Sequence, residues 1–512
     1  MVVASLPVLC LQNIFNHLKY NDFYSRRSLV LLNRYWCISL IPELWRNPFY
    51  FSLKTSNQVK LINTYLKCLP PNVREDLAIP CCLRLPTAFD YPYFLQEFEP
   101  DGIYKFIKNW VAANTPGNYV EDRVIVLFGA LVENFIANAS NIQEVVLFWD
   151  QPLNMFNFPS SKTSLSQIQR FKCFTMFNDS IQQISDIFNS AYPISQNIHT
   201  IDISIYDYKI TDKSRQLFEN LSQLIRHQRS LKSISIECRE PDFYPLWKSI
   251  FLHTDSIREI EFCDIAFSKR FPFPLQVLGS FIHLKNLFIY DCKNLSFGPR
   301  KISPSAFQKL CSFHINHCEG FPMEFVKFVL SQSNSNLNDM RYINKEVSVE
   351  FIGLCSTYCT NLTSFRAMIK KDQIPSILNL CQQCKGLKDL SVYDSSPYPY
   401  SDKQVADEDG NEFLEELGKV LPRKLNCFRY QLNWSFSPET LESFLTNCAA
   451  RELRILDLDS FKEFKDEHLE IIIKYCSGSL EYLRLCDREN VSPQCLHRAR
   501  GVIEEIEFQN LA

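Results

Sequence analysis

The sequence predicts an α/β fold in which one short strand-and-helix unit is used many times. Three observations carry this prediction: a recurring apolar pattern, its near-regular spacing, and a helix-like stretch after most copies. The pattern is apolar-x-x-apolar-x-apolar, and most neighbouring copies start 23 to 28 residues apart. Copies start at Ile142, Ile168, Ile198, Leu231, Ile257, Leu284, Leu310, Leu337, Leu362, Leu387, Leu425, Leu453, Leu480 and Ile503.

One copy shows how the unit should work. In the segment from Leu284 to Cys292, Leu287 and Ile289 are two positions apart, so a strand places both on one buried face. Phe288 and Tyr290 alternate with them and should lie on the opposite face. Other copies place pairs on the buried face in the same way. The predicted buried positions are Leu287, Ile289, Phe313, Ile315, Leu390, Val392, Leu456, Leu458, Leu483 and Leu485, on parallel strands.

Apolar residues at helical spacing follow the strands. The stretches are Leu217–Ile225, Phe325–Leu330, Phe413–Leu421, Leu441–Leu445 and Leu469–Tyr475. A strand and a helix within 30 residues match the leucine-rich-repeat template. Residues 141–512 should therefore form a solenoid with a curved parallel sheet and helices on its convex side. An ordinary α/β protein with generic leucine spacing is the alternative, and the number of copies in near-regular step argues against it.

Composition narrows the possible partners and compartment. The chain has 46% hydrophobic and 22% charged residues and a net charge of -3, so a soluble protein without a nucleic-acid partner is expected. The N-terminus from Met1 to Pro7 lacks a basic start and a cleavage site. Apolar runs such as Val124 to Val132 are too short for a membrane span. Cytoplasmic or nuclear residence with reduced thiols is therefore expected for the 20 cysteines.

The sequence contains no strong sign of catalytic chemistry. The 12 glycines form no phosphate-binding loop. Cys381 and Cys384 form a lone CxxC, for which core packing is favoured over zinc binding. The segment from His314 to Cys318 should lie on a strand, whose alternation separates the His and Cys side chains. No nucleophile, base and acid occur in a recognisable arrangement. A protein that is not an enzyme, with no cofactor and no metal, is predicted.

The N-terminal segment, residues 1–48, has a different pattern that predicts three short helices. Ser5 is a candidate cap for the first helix, whose first turn suits Pro7, and Asn21 or Asp22 is a candidate cap for the second. Two apolar stripes are expected, formed by Leu11, Ile14, Phe15 and Leu18, and by Trp36, Ile38, Ile41 and Leu44 facing inward. Three such helices leave apolar surface uncovered, which usually marks a partner site.

This segment resembles an F-box, the helical module that docks substrate receptors on the Skp-family adaptor of cullin–RING ligases. The matching residues are Leu6-Pro7, Ile14-Phe15, Leu18, Leu32, Trp36 and Leu44-Trp45. It differs at Val8 and Leu9, where acidic residues are usual, and in a middle loop about one residue longer. The resemblance implies adaptor contacts at Leu6, Pro7, Leu11, Ile14, Phe15, Leu18, Leu32 and Trp36.

Together with the cysteine-containing repeats, the chain resembles the F-box/leucine-rich-repeat family. The resemblance implies a non-catalytic, substrate-recognition subunit of an SCF-type ubiquitin ligase in the proteasomal pathway. The adaptor, the cullin–RING ligase behind it and an unidentified protein substrate are the implied partners. A scaffold that uses the same modules without serving a ligase is the alternative from another class.

Residues 49–140 are less regular and are interpreted as a junction with irregular capping repeats. Helices are expected over Val59–Leu69, Ile103–Val111 and Val120–Ala139, separated by prolines. An exposed insertion loop is expected from Tyr393 to Gly410.

Surface-facing strand positions are candidates for substrate binding because aromatic and arginine side chains suit a protein ligand. The alternative is that most are simply solvated. The candidates are Phe288, Tyr290, His314, Arg341, Arg366, Tyr393 and Arg429.

Overall fold

The computed structural model of the chain describes most of its length. The described residues are 6–18, 23–49, 53–80, 83, 87–114, 120–148, 153–175, 181–206, 212–239, 243–270, 272–298, 302–333, 336–344, 349–394, 408–448, 453–458, 463–476, 478–486, 488 and 490–508. The chain divides into two compact units, Met1–His253 and Thr254–Ala512. The predicted boundaries at residues 48 and 140 concern a different partition and stay predictions.

The first unit begins with helices and continues as alternating strands and helices. Its helices are α1 Val8–His17, α2 Phe23–Val30, α3 Arg34–Leu44, α4 Thr55–Lys67, α5 Pro71–Asp76, α6 Pro100–Asn114, α7 Val120–Asn138, α8 Ser161–Ser164, α9 Ile181–Ala191, α10 Asp212–Arg226 and α11 Phe243–Ile250. Its strands are β1 Glu97–Phe98, β2 Glu144–Leu147, β3 Arg170–Thr175, β4 Thr200–Ile205 and β5 Ser233–Cys238.

The five strands of the first unit pair in sequence order and all in parallel. The register is constant: Glu144 lies opposite Arg170, and Arg170 opposite Thr200. Parallel neighbours in sequence order require a crossover between each pair, which the intervening helices provide. Pairing begins at Glu97, within the segment that sequence reasoning could not resolve.

The second unit contains the remaining elements. Its helices are α12 Met323–Ser333, α13 Val349–Tyr358, α14 Ile374–Gln383, α15 Asn411–Val420, α16 Pro438–Asn447, α17 Asp466–Cys476 and α18 Pro493–Arg500. Its strands are β6 Glu259–Cys263, β7 Phe273–Pro274, β8 Asn286–Tyr290, β9 Leu295–Ser296, β10 Ser312–Asn316, β11 Asp339–Ile343, β12 Ser364–Ile369, β13 Asp389–Asp394, β14 Glu408–Asp409, β15 Cys427–Gln431, β16 Trp434–Ser435, β17 Ile455–Leu458, β18 Tyr482–Leu485 and β19 Glu505–Phe508.

Ten strands of the second unit form a parallel series, in the order β6, β8, β10, β11, β12, β13, β15, β17, β18 and β19. Two-residue pairs, β7 with β9 and β14 with β16, lie outside this series and are also parallel. Each unit is therefore a repeat-type α/β structure, as the sequence predicts.

The apolar pattern locates the strands closely. For the repeat pattern starting at Ile142, the strand begins two residues later, at Glu144, and the same offset holds for every later copy. All fourteen first apolar residues are at most 3% exposed. The ten side chains predicted to be buried are at most 2% exposed, on parallel strands, and this prediction is confirmed.

The helices predicted from apolar spacing are also confirmed, as α4, α6, α7, α10, α12, α15, α16 and α17. Their aromatic side chains pack against the buried face of the strands. Phe325 of α12 lies with its ring centroid 6.2 Å from Phe313 of β10, and Phe444 of α16 lies 5.5 Å from Phe428 of β15. The opposite face of the strands is left without a helix layer at the half-exposed positions such as Phe288 and Tyr290.

The turns that follow three successive strands share a backbone conformation. Asp264, Asp291 and His317 each come directly after a strand and have φ values of 50° to 53°. The amide of each donates to a carbonyl of the next strand: Asp264 to Tyr290, Asp291 to Asn316 and His317 to Ile343. These hydrogen bonds offset the cost of the left-handed conformation.

Cysteines fill the position after two of these turns, at Cys292 and Cys318. The Cys292 thiol donates to the Phe262 carbonyl of β6 at 3.6 Å, and the Cys318 thiol to the Ile289 carbonyl of β8 at 3.5 Å. Cys381 and Cys384 are fully buried, and Cys384 donates to the Cys359 carbonyl at 3.3 Å, so their predicted core packing is confirmed. Two further cysteines, the adjacent Cys81 and Cys82, lie outside the described residues.

Among the described helices, none has both the length and the apolar composition that crossing a membrane requires.

Candidate functional site

The first candidate site is formed by the three N-terminal helices, α1 to α3, which the sequence predicts. Their shared core consists of Leu11, Phe15, Val30, Leu40 and Ile41, each at most 7% exposed. Trp36, Leu44 and Trp45 pack at its edge. The helices therefore share one apolar core, against which Phe89 and Phe94 also pack.

A buried arginine ties α2 to α1. Arg26 is 5% exposed, donates from Nη2 to the Leu18 carbonyl at 3.1 Å, and places its guanidinium 4.7 Å from the centre of the Phe15 ring. Both contacts satisfy a charge that would otherwise be costly to bury. Asn33 caps α3 by accepting from the Trp36 amide at 3.0 Å.

Around this core lies a large exposed apolar surface. We call it the N-terminal apolar surface, and its members are Leu6, Val8, Leu9, Ile14, Leu31, Leu32, Tyr35 and Ile38, exposed between 39% and 74%. Tyr35 donates to the Leu6 carbonyl at 2.8 Å, so residues from both ends of the segment meet. A concentration of exposed apolar side chains in one segment is typical of interaction sites in soluble proteins.

The structure divides the predicted adaptor contacts into three groups by exposure. Leu11 and Phe15 are 0% and 1% exposed, so their role is to support the helices and not to touch a partner. Leu18 and Trp36 are half-buried at the core, whereas Leu6, Pro7, Ile14 and Leu32 are exposed and available.

Other expectations for these helices are corrected. The inward position expected of Ile38 is wrong, because Ile38 is 53% exposed and Leu40 takes its place in the core. The predicted inward positions Ile41, Trp36 and Leu44 do contact the core, together with Cys37 and Leu40. Pro7 precedes α1 as its N-cap. The proposed caps Ser5, Asn21 and Asp22 lie outside the described residues.

The second candidate site is a row of side chains across the second unit. In register from β6 to β19, the facing positions are Glu261, Phe288, His314, Arg341, Arg366, Ser391, Arg429, Asp457, Arg484 and Glu507. Neighbouring parallel strands lie about 4.8 Å apart. We call its central part, with Arg341, Arg366 and Arg429, the arginine face.

One aspartate holds two of these arginines. Asp389 accepts from Arg366 at 2.8 Å and from Arg429 at 3.0 Å on each carboxylate oxygen. Ser391 lies between the two arginines, accepts from Arg429 at 3.3 Å and donates to Asp389 at 3.1 Å. The carboxylate of Asp389 raises the pKa of Arg429, although burial opposes this effect.

A hydrogen-bonded chain lies at the aromatic end of the face. His314 Nδ1 is 3.0 Å from the Tyr290 hydroxyl, and its Nε2 is 2.8 Å from the Asp339 carboxylate. Phe288 packs on the imidazole with centroids 4.6 Å apart. Burial raises the pKa of Asp339, but the hydrogen bond and charge of His314 outweigh it, so this pKa is lowered. Burial raises the pKa of Tyr290 to about 12.

The structure therefore brings together most of the predicted substrate-binding residues. Phe288, Tyr290 and His314 form one group; Arg366, Arg429 and Tyr393 form another, with Arg341 between them. Sequence reasoning missed Asp339, Asp389 and Ser391. A weak signal existed, since Asp339 and Asp389 occupy the first strand position two residues before an arginine or serine of the row.

Two further observations bound the chemistry. The described residues contain no group of three or more His, Cys, Asp or Glu side chains able to hold a metal ion. Most of the predicted loop from Tyr393 to Gly410 lies outside the described residues, although Glu408 and Asp409 form β14. Asp459, which follows β17, also lies outside them.

Comparison with known proteins adds little at the level of sequence. No protein-family profile matches the chain, and no curated protein matches it. Among solved structures, the chain is similar to one described as the Rad7 and Elc1 complex in yeast, at 11% identity and a TM-score of 0.41 over 96% of each chain. A similarity at this TM-score carries no argument about fold or function.

Proposed function

We propose that this chain is a non-catalytic substrate receptor of an SCF-type cullin–RING ubiquitin ligase. In this proposal α1 to α3 act as an F-box that binds a Skp-family adaptor. The repeat units capture a protein client, and other subunits of the ligase transfer ubiquitin to it. The F-box resemblance of residues 6–45 and the geometry of the N-terminal helices support this assignment.

The observation that carries the proposal is the concentration of exposed apolar side chains on these helices. Of the sixteen exposed large hydrophobic residues in the described part of the chain, eight lie between Leu6 and Ile38. A module whose core is already packed and that still exposes this much apolar surface is expected to bury it against a partner. The resemblance to the F-box motif supports the adaptor as the class of partner.

The exposed members of the motif are the expected contact residues. Leu6, Pro7, Ile14 and Leu32 are exposed, while the motif residues Leu11 and Phe15 hold the helices in position. Val8 and Leu9, where the family usually has acidic residues, add to the apolar surface at 42% and 74% exposure. We therefore expect an adaptor interface that is more apolar here than the family pattern implies.

Adaptor co-purification tests this assignment. Replacing Ile14 or Leu32 with Asp should weaken adaptor binding at least a hundredfold, which corresponds to about 3 kcal/mol. The reason is that a carboxylate would be desolvated inside an apolar interface. Replacing Leu6 and Pro7 together with Ala should also abolish binding. Affinity of the purified adaptor for each variant, measured by isothermal titration calorimetry, gives the result.

Val126→Asp is the matched control, because Val126 is 55% exposed on α7 and lies outside the three-helix module. It should bind the adaptor as the unmodified chain does, and all variants should keep the same far-UV spectrum. Normal adaptor binding by Ile14→Asp and Leu32→Asp would overturn the assignment. Recovery of the adaptor without a cullin would instead indicate the non-ligase scaffold.

A further inference from the structure

The arginine face carries a guanidinium on each side of β13. Arg366, Ser391 and Arg429 lie opposite one another on β12, β13 and β15. Ser391 is fully buried, and the Asp389 carboxylate of the same strand bridges the two arginine side chains. The side chains of Arg366 and Arg429 are 25% and 24% exposed, which leaves both in reach of a ligand.

The three arginines of this face differ in their ion pairing. Asp389 pairs with both Arg366 and Arg429, and Asp339 pairs with His314. Arg341 forms no ion pair with any described residue, and its Nε has no acceptor there. Arg341 is thus the arginine that an additional anion would pair with, whereas Arg429 also has Asp457 beside it in the row.

The three arginines act on a common point. Burial raises the pKa of the Tyr393 phenol, while the charges of Arg366, Arg341 and Arg429 all oppose that rise. Arg341 also opposes the rise at Tyr290, on the other side of the row. A negative charge beside Tyr393 would therefore be stabilised by all three arginines.

Two stacked aromatic side chains lie a few strands away from the arginines. The Phe288 and Tyr290 rings stack at 6.2 Å with planes 7° apart. Phe288 is two strands from Arg341 and three from Arg366, which is about 10 and 14 Å at the usual strand spacing. An extended peptide covers these distances in about three or four residues.

We propose that the arginine face binds an acidic segment of a protein client. An anionic side chain, a carboxylate or a phosphate, would lie among Arg341, Arg366 and Arg429. An apolar side chain three or four residues away would pack on Phe288 and Tyr290. This inference rests on the proposed function, because the ligand is the client that the receptor would capture. Arginine forks recognise both oxyanions through paired hydrogen bonds.

Fluorescence anisotropy with defined peptides tests this inference on the full chain. The probe is a fluorescein-labelled glycine–serine peptide that carries one leucine and, three residues further on, two consecutive glutamates. One counterpart has glutamines and another has phosphoserines in place of the glutamates. We expect the glutamate peptide to bind at least tenfold more tightly than the glutamine peptide, with affinity that falls as salt rises.

Arg341→Gln is the informative variant, because this arginine holds no ion pair among the described residues and its loss should not disturb the sheet. It should weaken glutamate-peptide binding at least fivefold, and Arg341→Lys should restore part of it because the charge remains. Arg454→Gln is the control: its side chain is 60% exposed and pairs with Glu481 away from the row. It should bind as the unmodified chain does.

The outcomes separate cleanly. Binding of the phosphoserine peptide alone, with the same dependence on Arg341, supports the site and identifies phosphate as the anion source. Measurable binding of the glutamate and glutamine peptides with equal affinity, no binding of any peptide, or unchanged binding by Arg341→Gln overturns the proposal. If the unmodified chain failed to bind the adaptor, only the proposed function would be overturned, because the peptide assay contains no adaptor.

Discussion

His468 is a buried polar residue whose two ring nitrogens form hydrogen bonds, one within its own repeat and one to the neighbouring repeat. Its side chain is 3% exposed. Nδ1 accepts from the Lys465 amide at 3.2 Å, and Nε2 lies 3.2 Å from the Phe436 carbonyl, to which it can donate. The ring also stacks on Phe464 with centroids 5.4 Å apart. One nitrogen accepting and the other donating requires the neutral imidazole.

The stability of the fold should therefore depend on pH through His468. Burial lowers its pKa below the usual 6.5, although the Phe436 carbonyl and the charges of Glu467 and Glu439 oppose this. The unfolded chain then takes up the proton first, so stability is complete above pH 6.5 and falls as pH decreases towards the folded pKa. Urea unfolding at pH 7.5 and pH 5 should show a smaller loss for His468→Gln than for the unmodified chain.

The titration of two other groups, Asp339 and His253, does not affect this comparison. Asp339 has a lowered pKa and titrates below the chosen pH window. His253 is similarly buried, with a pKa lowered by burial, so it contributes to the unmodified chain and to the variant alike. Equal losses in both proteins would contradict the assignment to His468.

At the scale of elements, two helical glycines have opposite surroundings. A Cβ on Gly418 of α15 would lie 2.9 Å from the Phe444 carbonyl oxygen and 3.1 Å from its Cα, both backbone atoms of α16. A Cβ on Gly353 of α13 would meet nothing within 4 Å. Close approach of α15 and α16 thus depends on the missing side chain at Gly418.

Alanine substitutions should consequently change the free energy of unfolding in opposite directions. Gly418→Ala should destabilise by about 1–3 kcal/mol, because backbone atoms of α16 must move. Gly353→Ala should stabilise by up to about 1 kcal/mol, because alanine favours the helix and encounters no neighbour. Urea denaturation of both variants checks this pair, and destabilisation by Gly353→Ala as large as that by Gly418→Ala would contradict the packing argument.

At the scale of the whole molecule, the two candidate sites belong to different compact units. The N-terminal apolar surface lies within Met1–His253, and the arginine face within Thr254–Ala512. They share no residue, and each is held by contacts inside its own unit, such as Arg26 with Phe15 and Asp389 with Arg429. Binding at one site should then leave the other unaffected.

Independence can be measured by combining variants. Leu32→Asp should keep glutamate-peptide affinity within about twofold, and Arg341→Gln should keep adaptor affinity within the same margin, since mutations without shared partners add. The double variant should lose both activities. Loss of adaptor binding in Arg341→Gln would show that the sites are coupled and that the division of roles is incorrect.

The sequence by itself determined the position of the fourteen strands that follow the repeat pattern and the existence of the N-terminal helices, but it did not predict β1, β7, β9, β14 or β16. Each repeat has two apolar residues at strand spacing, at a constant distance from its first apolar residue. This pattern is recognised without knowledge of a distant partner, so the strand after Leu284 could be placed at Asn286. Helical spacing similarly located α10 and α17. These are local properties, because side-chain periodicity follows directly from backbone geometry.

Only the tertiary structure decided which side chains face each other. Asp389 binds Arg366 and Arg429, which are 23 and 40 residues away, because the register across β12, β13 and β15 places them side by side. Helical spacing grouped Ile14 with Leu11 and Phe15, but the packing of α3 covers only the latter two. The constant two-residue offset of the strands accounts for this register, but which side chains pair within it, and which face of a helix is covered, depends on the neighbouring elements.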